Sequence, residues 1–137
     1  MSVAEFSKNL ARHKNAEIKP TILDQTVIAG LGNIYADEAL FLAKIHPERL
    51  AGSLSETEIS DLLEAAKSVM QASIDSGGST MATYVKADGT RGDYLQKFAQ
   101  VFRRDGEPCN RCGTEIIKIK VAGRGTHLCP HCQQKNL

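Results

Sequence analysis

The sequence predicts a mainly α chain that ends in a small β-hairpin, and three observations carry this prediction. Apolar residues recur at the three-and-four spacing of helices through residue 74. Four cysteines fall in two close pairs after residue 108, with a strand-like run between them. The apolar stretches are broken by Asp, Asn or Gly well short of the roughly 20 residues that a membrane helix needs. With 42% hydrophobic residues in 137, the chain can bury one modest core and a small satellite unit.

Ser2 with Glu5 forms a capping-box pattern, and Phe6 and Leu10 then share one face of a short first helix. Pro20 suits the first turn of a second helix, whose apolar side is Ile22, Leu23 and Val27. Ala29-Gly30-Leu31-Gly32 reads as a tight connection, and Asn33 as the N-cap of a third helix running through about Lys44, with Ile34, Ala36, Leu40, Phe41 and Ala43 on its apolar face. Pro47 predicts a short helical turn near Glu48-Arg49-Leu50. Ser55 and Glu58 form a second capping box ahead of Ile59, Leu62, Leu63, Ala66, Val69, Met70 and Ile74, the most regular helical period in the chain. Gly77-Gly78 is the expected stop.

Gly78 to Gly92 is small, polar and turn-rich, and loops of this length are characteristically functional or mobile. Tyr94 to Phe102 is expected to be a last helix or an extended lead-in, followed by a strand over Ile116 to Val121. The predicted organisation is a helical domain over 1–96, which includes the 78–92 loop, and a cysteine-bearing unit with its lead-in over 97–137.

The net charge of +1 conceals an asymmetry: residues 1–96 carry 9 Lys/Arg against 13 Asp/Glu, and residues 97–137 carry 8 against 3. A basic partner surface is therefore expected in the C-terminal unit. The N-terminus lacks a basic segment followed by an apolar one, and thiols in metal spacing suit a reducing compartment, so the chain is expected to be cytoplasmic.

Cys109 and Cys112, sixteen intervening residues, then Cys129 and Cys132 match the spacing of a four-cysteine zinc site. A two-residue gap lets both thiolates of a pair reach one ion, and the hairpin closes the tetrahedron, with Gly113 and Gly123 at its turns. Four protein ligands leave no open coordination position, so the zinc is expected to be structural. Disulfides or buried thiols are the alternatives. His127 and His131 fall outside the ligand set, at the surface or behind the ligands.

A helix, glycine turns and a helix starting at Asn33 also gather backbone N–H groups at the positive end of a helix dipole, where an anion can bind. An ordinary cap with turn glycines explains the same residues. Arg124 in the hairpin reads either as solvated or as a phosphate fork.

The run Ile28-Ala29-Gly30-Leu31-Gly32-Asn33-Ile34-Tyr35-Ala36-Asp37-Glu38-Ala39-Leu40, followed by Ile45-His46-Pro47, closely resembles the helix-two-turns-helix motif of the bacterial formamidopyrimidine-DNA glycosylases. Gly123-Arg124-Gly125-Thr126-His127-Leu128-Cys129-Pro130-His131-Cys132-Gln133 resembles their terminal zinc finger. The resemblance covers essentially the whole chain. It implies a role in excision of oxidised purines such as 8-oxoguanine and formamidopyrimidines from damaged double-stranded DNA, with strand cleavage as a lyase and the lesion flipped from the duplex. By this resemblance Asn33 and Arg124 bind DNA phosphates, the 78–92 segment closes over the extruded purine with Ser79 in contact, and Lys19 lies near the lesion.

The departures are equally informative. The family's catalytic amine is an N-terminal proline followed by glutamate on a β-sandwich domain, and this chain begins Met1-Ser2-Val3-Ala4. The expectation is therefore a C-terminal fragment without catalytic residues of its own, monomeric and competent for DNA binding alone. Phe102 stands where the family usually has a phosphate-binding tyrosine. The rival expectations are a stand-alone nucleic-acid-binding zinc module, a fragment of the related oxidised-pyrimidine glycosylase, which typically lacks the long loop, and a protein-binding zinc ribbon.

Overall fold

The computed structural model describes residues 1–75 and 99–135. The Gly77-Gly78 stop, the 78–92 loop with Ser79 and the segment from Tyr94 to residue 98 lie outside the described residues. Helices α1 (Val3–Ala11), α2 (Ile18–Leu23) and α3 (Asn33–Leu42) are followed by a 3-10 turn (Ala51–Ser53), helix α4 (Glu56–Asp75), and strands β1 (Ile117–Val121) and β2 (Arg124–Leu128). The architecture is the expected one, mainly helical with a C-terminal antiparallel hairpin.

Both capping patterns form. Ser2 Oγ accepts the Glu5 N–H at 3.1 Å. At α4 the box is fully reciprocal, with the Glu58 N–H donating to Ser55 Oγ at 3.1 Å and the Ser55 N–H donating to Glu58 Oε1 at 2.9 Å. Phe6 and Leu10 of α1 meet Ile18 and Ile22 of α2, Ala36, Ala39 and Leu40 of α3, and Leu62, Leu63, Ala66 and Val69 of α4 in one apolar core. Val27 joins that core from beyond the end of α2.

Three local expectations need correction. The N-cap of α3 is Gly32, so Asn33 is the first helical residue and makes no cap hydrogen bond. The helix ends at Leu42 instead of Lys44, because Lys44 takes φ 61°. Its N–H donates to Phe41 O at 3.1 Å and that of Ile45 to Leu40 O at 2.9 Å, the paired bonds of a Schellman stop. Pro47 and Glu48 form only a turn, and the helical turn comes later, at Ala51–Ser53. Of the two expectations for the lead-in to the finger, helix or extended chain, residues 99–102 exclude the helix.

A second, smaller core joins Phe41 of α3 to Val101, Cys109, Ile116, Cys129 and Cys132. Phe41 thus leaves the helical core and seats the finger on α3. In the hairpin, Val121 pairs with Arg124 across a two-residue turn. Ala122 and Gly123 both have positive φ, 51° and 79°, as the tight turn that matches strand twist demands.

Candidate metal centre and nucleic-acid interface

The four cysteine sulfurs all lie within 4.8 Å of one another. Separations of 3.9 Å for Cys109–Cys132, 3.5 Å for Cys112–Cys129 and 3.6 Å for Cys112–Cys132 bracket the roughly 3.8 Å between sulfurs in a tetrahedron with a Zn–S bond of about 2.3 Å. They are far too long for disulfides, whose sulfurs sit about 2.05 Å apart. Backbone N–H groups turn inward to support thiolates: Arg111 donates to Cys109 Sγ at 3.3 Å and Cys132 to Cys129 Sγ at 3.4 Å. Hydrogen bonds from Thr114 hold the Cys112 thiol down to about 6, whereas burial, reinforced by the neighbouring sulfurs, pushes Cys132 up to about 12. A divalent cation that converts all four to thiolates must therefore displace protons. His131 is exposed, and His127 is buried against Asp37, so both histidines stay outside the ligand set.

The α3 N-terminus and the hairpin meet at one carbonyl. Asn33 donates its side-chain N–H to Gly125 O at 3.4 Å, 92 residues along the chain. Arg124, the residue before that glycine, is exposed at the start of β2. With Gly32 as N-cap, no side chain caps the first turn of α3. An uncapped helix dipole and an amide with a second N–H thus adjoin the hairpin stretch that carries the exposed Arg124, a donor set suited to a phosphodiester.

Lys19 is fully buried, and its ammonium faces the finger. Nζ lies 2.7 Å from Asp37 Oδ1 and donates to Thr126 Oγ1 at 2.7 Å and to Gly125 O at 3.1 Å. Asp37 Oδ2 accepts the His127 N–H at 3.0 Å and lies 3.4 Å from His127 Nδ1.

Sequence reasoning missed several residues that join the two units. Glu38, almost fully buried on α3, accepts three consecutive N–H groups, from Gln100 at 2.6 Å, Val101 at 2.9 Å and Phe102 at 3.0 Å. Burial pushes its carboxyl above the ordinary range, and those three donors pull the other way. Gln133 accepts the Cys129 N–H at 2.8 Å and donates to Ile45 O at 3.1 Å, so the loop after α3 is tied to a zinc-ligand turn. The available signal was the pair of acids, Asp37 and Glu38, inside a helix with few exposed positions.

Residues 1–85 match the formamidopyrimidine-DNA glycosylase H2TH domain, and residues 106–135 match the zinc finger found in FPG and IleRS. The formamidopyrimidine-DNA glycosylase of Listeria innocua is 51% identical over 133 residues, which is 97% of this chain and 48% of that protein. A crystal structure of a Lactococcus lactis FPG mutant with Fapy-dG containing DNA superposes with TM-score 0.86 and 48% identity, over 98% of this chain and 48% of that one. A structure of MutM with DNA containing carbocyclic 8-oxo-G gives TM-score 0.85 and 46% identity, over the same shares. The chain spans about half the length of the curated relatives it matches. The sulfur tetrahedron is accordingly a site for one structural zinc ion, and the chain belongs to the formamidopyrimidine-DNA glycosylase family, to which it corresponds over the helix-two-turns-helix and zinc-finger half.

Proposed function

We propose that this chain is the DNA-binding half of a base-excision-repair glycosylase and AP lyase that removes oxidised purines, 8-oxoguanine and formamidopyrimidines, from duplex DNA. The observation that carries this reading is the hydrogen bond from Asn33, at the start of α3, to Gly125 O, the residue next to the exposed Arg124. A phosphate at the uncapped start of α3 receives donors from both units at once, and such contacts fix the register of a duplex without reading its sequence. The solved relatives with lesion-bearing DNA support duplex DNA as the partner.

The chemistry belongs on a separate β-rich domain that supplies the amine nucleophile, and the helical domain (1–96) and finger unit (97–137) hold the DNA while it acts. Ser79 reaches the extruded purine from the 78–92 segment. The chain works as a monomer in the bacterial cytoplasm, at the nucleoid. No helix among the described residues is long and apolar enough to cross a membrane.

Fluorescence anisotropy with a labelled 8-oxoguanine duplex, run beside a denaturing gel, tests this reading. The expected result is salt-sensitive binding with the strand left intact. Absence of binding at low salt, or strand cleavage abolished by mutating a residue of this chain, overturns it.

A further inference from the structure

Lys19 is a fully buried cation that donates to Thr126 Oγ1 at 2.7 Å and to Gly125 O at 3.1 Å and pairs ionically with Asp37 Oδ1 at 2.7 Å, a contact without hydrogen-bond geometry. Its burial among these three partners withdraws the ammonium from solvent and from a nucleotide. The partners lie in one short stretch of β2 and on α3, the helix whose first residue is Asn33. Thr126 passes the contact on, since its hydroxyl donates to Arg124 O at 3.0 Å. Asp37 completes the bracket by accepting the His127 N–H at 3.0 Å. Residues 124 to 127 are thus each fixed by the Lys19–Asp37 pair, directly or through one hydroxyl, and the Gly125 carbonyl is shared by Lys19 and Asn33.

We infer that Lys19, together with Asp37, is a positioning residue for DNA binding: it sets the separation between the Asn33 amide and the Arg124 guanidinium so that both meet one backbone phosphate. This assignment rests on the DNA-binding function proposed above. A buried ion pair is an inefficient way to gain stability compared with apolar packing, and its better-attested use is to select one geometry. Here the selected geometry is the approach of the finger hairpin to α3. The other ties across that interface, the apolar contact of Phe41 with Val101 and Ile116, Glu38 with the N–H groups of residues 100–102, Gln133 with Ile45 O and Arg111 with Phe41 O, involve none of residues 124–127, so the Lys19–Asp37 pair is what fixes the stretch that carries the Arg124 guanidinium.

The test uses Lys19→Met and the charge-neutral pair Lys19→Met/Asp37→Leu, each in the unaltered chain and in an Arg124→Ala background. Because the double variant leaves no buried charge unpaired, it keeps the question open where the single variant fails to fold. Zinc content and the thermal melt are measured beside affinity for the 8-oxoguanine duplex at several salt concentrations. The expected result for the double variant is bound zinc, a cooperative melt, about tenfold weaker binding and an unchanged salt slope, because a buried ammonium releases no counterion. In the Arg124→Ala background the same substitutions should cost less than about twofold, since the group being positioned is gone.

Four results overturn the inference: full affinity in the folded double variant; a loss that simply adds to that of Arg124→Ala; a salt slope lowered by about one, which would put Lys19 on the DNA; or loss of zinc or of the cooperative melt, which would make the pair purely structural. Failure of the unaltered chain to bind the duplex is a separate outcome that removes the proposed function and this inference together.

Discussion

The Arg111 guanidinium lies 3.7 Å from the centroid of the Phe41 ring and donates to the Phe41 carbonyl. One residue of the finger therefore holds both the side chain and the backbone of the last turn of α3. Phe41 is 1% exposed and forms the floor of the finger core, so Arg111 closes that core from outside.

Arg111→Ala should lower stability by about 1–2 kcal/mol, the combined worth of a cation–π contact and a charge-assisted hydrogen bond. Arg111→Lys should recover little, because an ammonium lacks the planar face that stacks on the ring. Chemical denaturation of the zinc-loaded proteins measures both, and a neutral Arg111→Ala would show that the apolar contacts alone dock the finger.

Zinc removal should unfold residues from about 105 onward, because so small a hairpin has little core without its metal. The effect should also reach the helices. Phe41 would lose its finger partners, and the buried Lys19 ammonium would lose Thr126 and Gly125. Titration with a strong chelator, followed by circular dichroism, should release one zinc per chain and lower the melting temperature of the remaining helical signal. An unchanged helical melt would mean that the two units are energetically independent.

What the sequence made legible was local. Cysteine spacing identified the metal site because each ligand pair is three residues apart, and the Ser55/Glu58 box announced α4 because its partners are neighbours. Asp37 and Glu38 were opaque for the opposite reason: their hydrogen-bond partners stand 90 and 62 residues away, and no pattern of spacing encodes that. The cap of α3 was misplaced by one residue. Asn is the better capping side chain, but Gly32 adopts the extended cap backbone, φ −88° and ψ 175°, and Asn33 turns its amide to the finger. Arg124 and Asn33 were legible as candidates through family resemblance, while the bond from Asn33 to Gly125 O, which Lys19 also holds, became visible only in three dimensions.

Lys44 occupies the left-handed position of the α3 stop, where a β-carbon is disfavoured. Lys44→Gly keeps both Schellman hydrogen bonds and removes that strain, so it should raise stability by about 0.5–1 kcal/mol. A thermal melt reads this directly. A destabilised variant would show that the greater freedom of glycine in the unfolded chain outweighs the relieved strain.

Glu58 receives the Arg49 guanidinium fork and the Ser55 N–H. Its carboxyl is held below the ordinary 4.5, first by the hydrogen bonds from Arg49, with a partial opposing effect of burial, and then by the Ser55 backbone. A depressed carboxyl contributes stability that is complete above its unfolded pKa and is lost as pH falls through the lower, folded value. Glu58→Gln should therefore cost about 1–2 kcal/mol near neutral pH and give a shallower decline in stability below about pH 4.5. Denaturation midpoints from pH 3 to 7 check the sign. An acid decline as steep as that of the unaltered chain would assign the acid sensitivity to other carboxylates.

Arg124→Ala and Asn33→Ala should separate by salt dependence. Arg124 is an exposed cation, so if it neutralises a phosphate its removal weakens binding on every sequence and lowers the slope of log affinity against log salt by about one. Asn33 gives a neutral donor, and its loss should weaken binding while the slope stays the same. Because Gly32 is the cap of α3, Asn33→Ala should cost little of the roughly 1 kcal/mol that removal of a true cap costs. What it gives up is the 3.4 Å bond to Gly125 O, the carbonyl that Lys19 also holds, so the hairpin should remain seated. The two single variants and their combination, measured by anisotropy on the 8-oxoguanine duplex at four salt concentrations, supply both slopes and the coupling. Two residues on one phosphate should couple, the double variant losing less than the sum of the singles. Strict additivity would place them on separate phosphates, and unchanged affinity in both folded, zinc-loaded variants would leave Arg124 solvated and Asn33 a purely internal link between α3 and the finger.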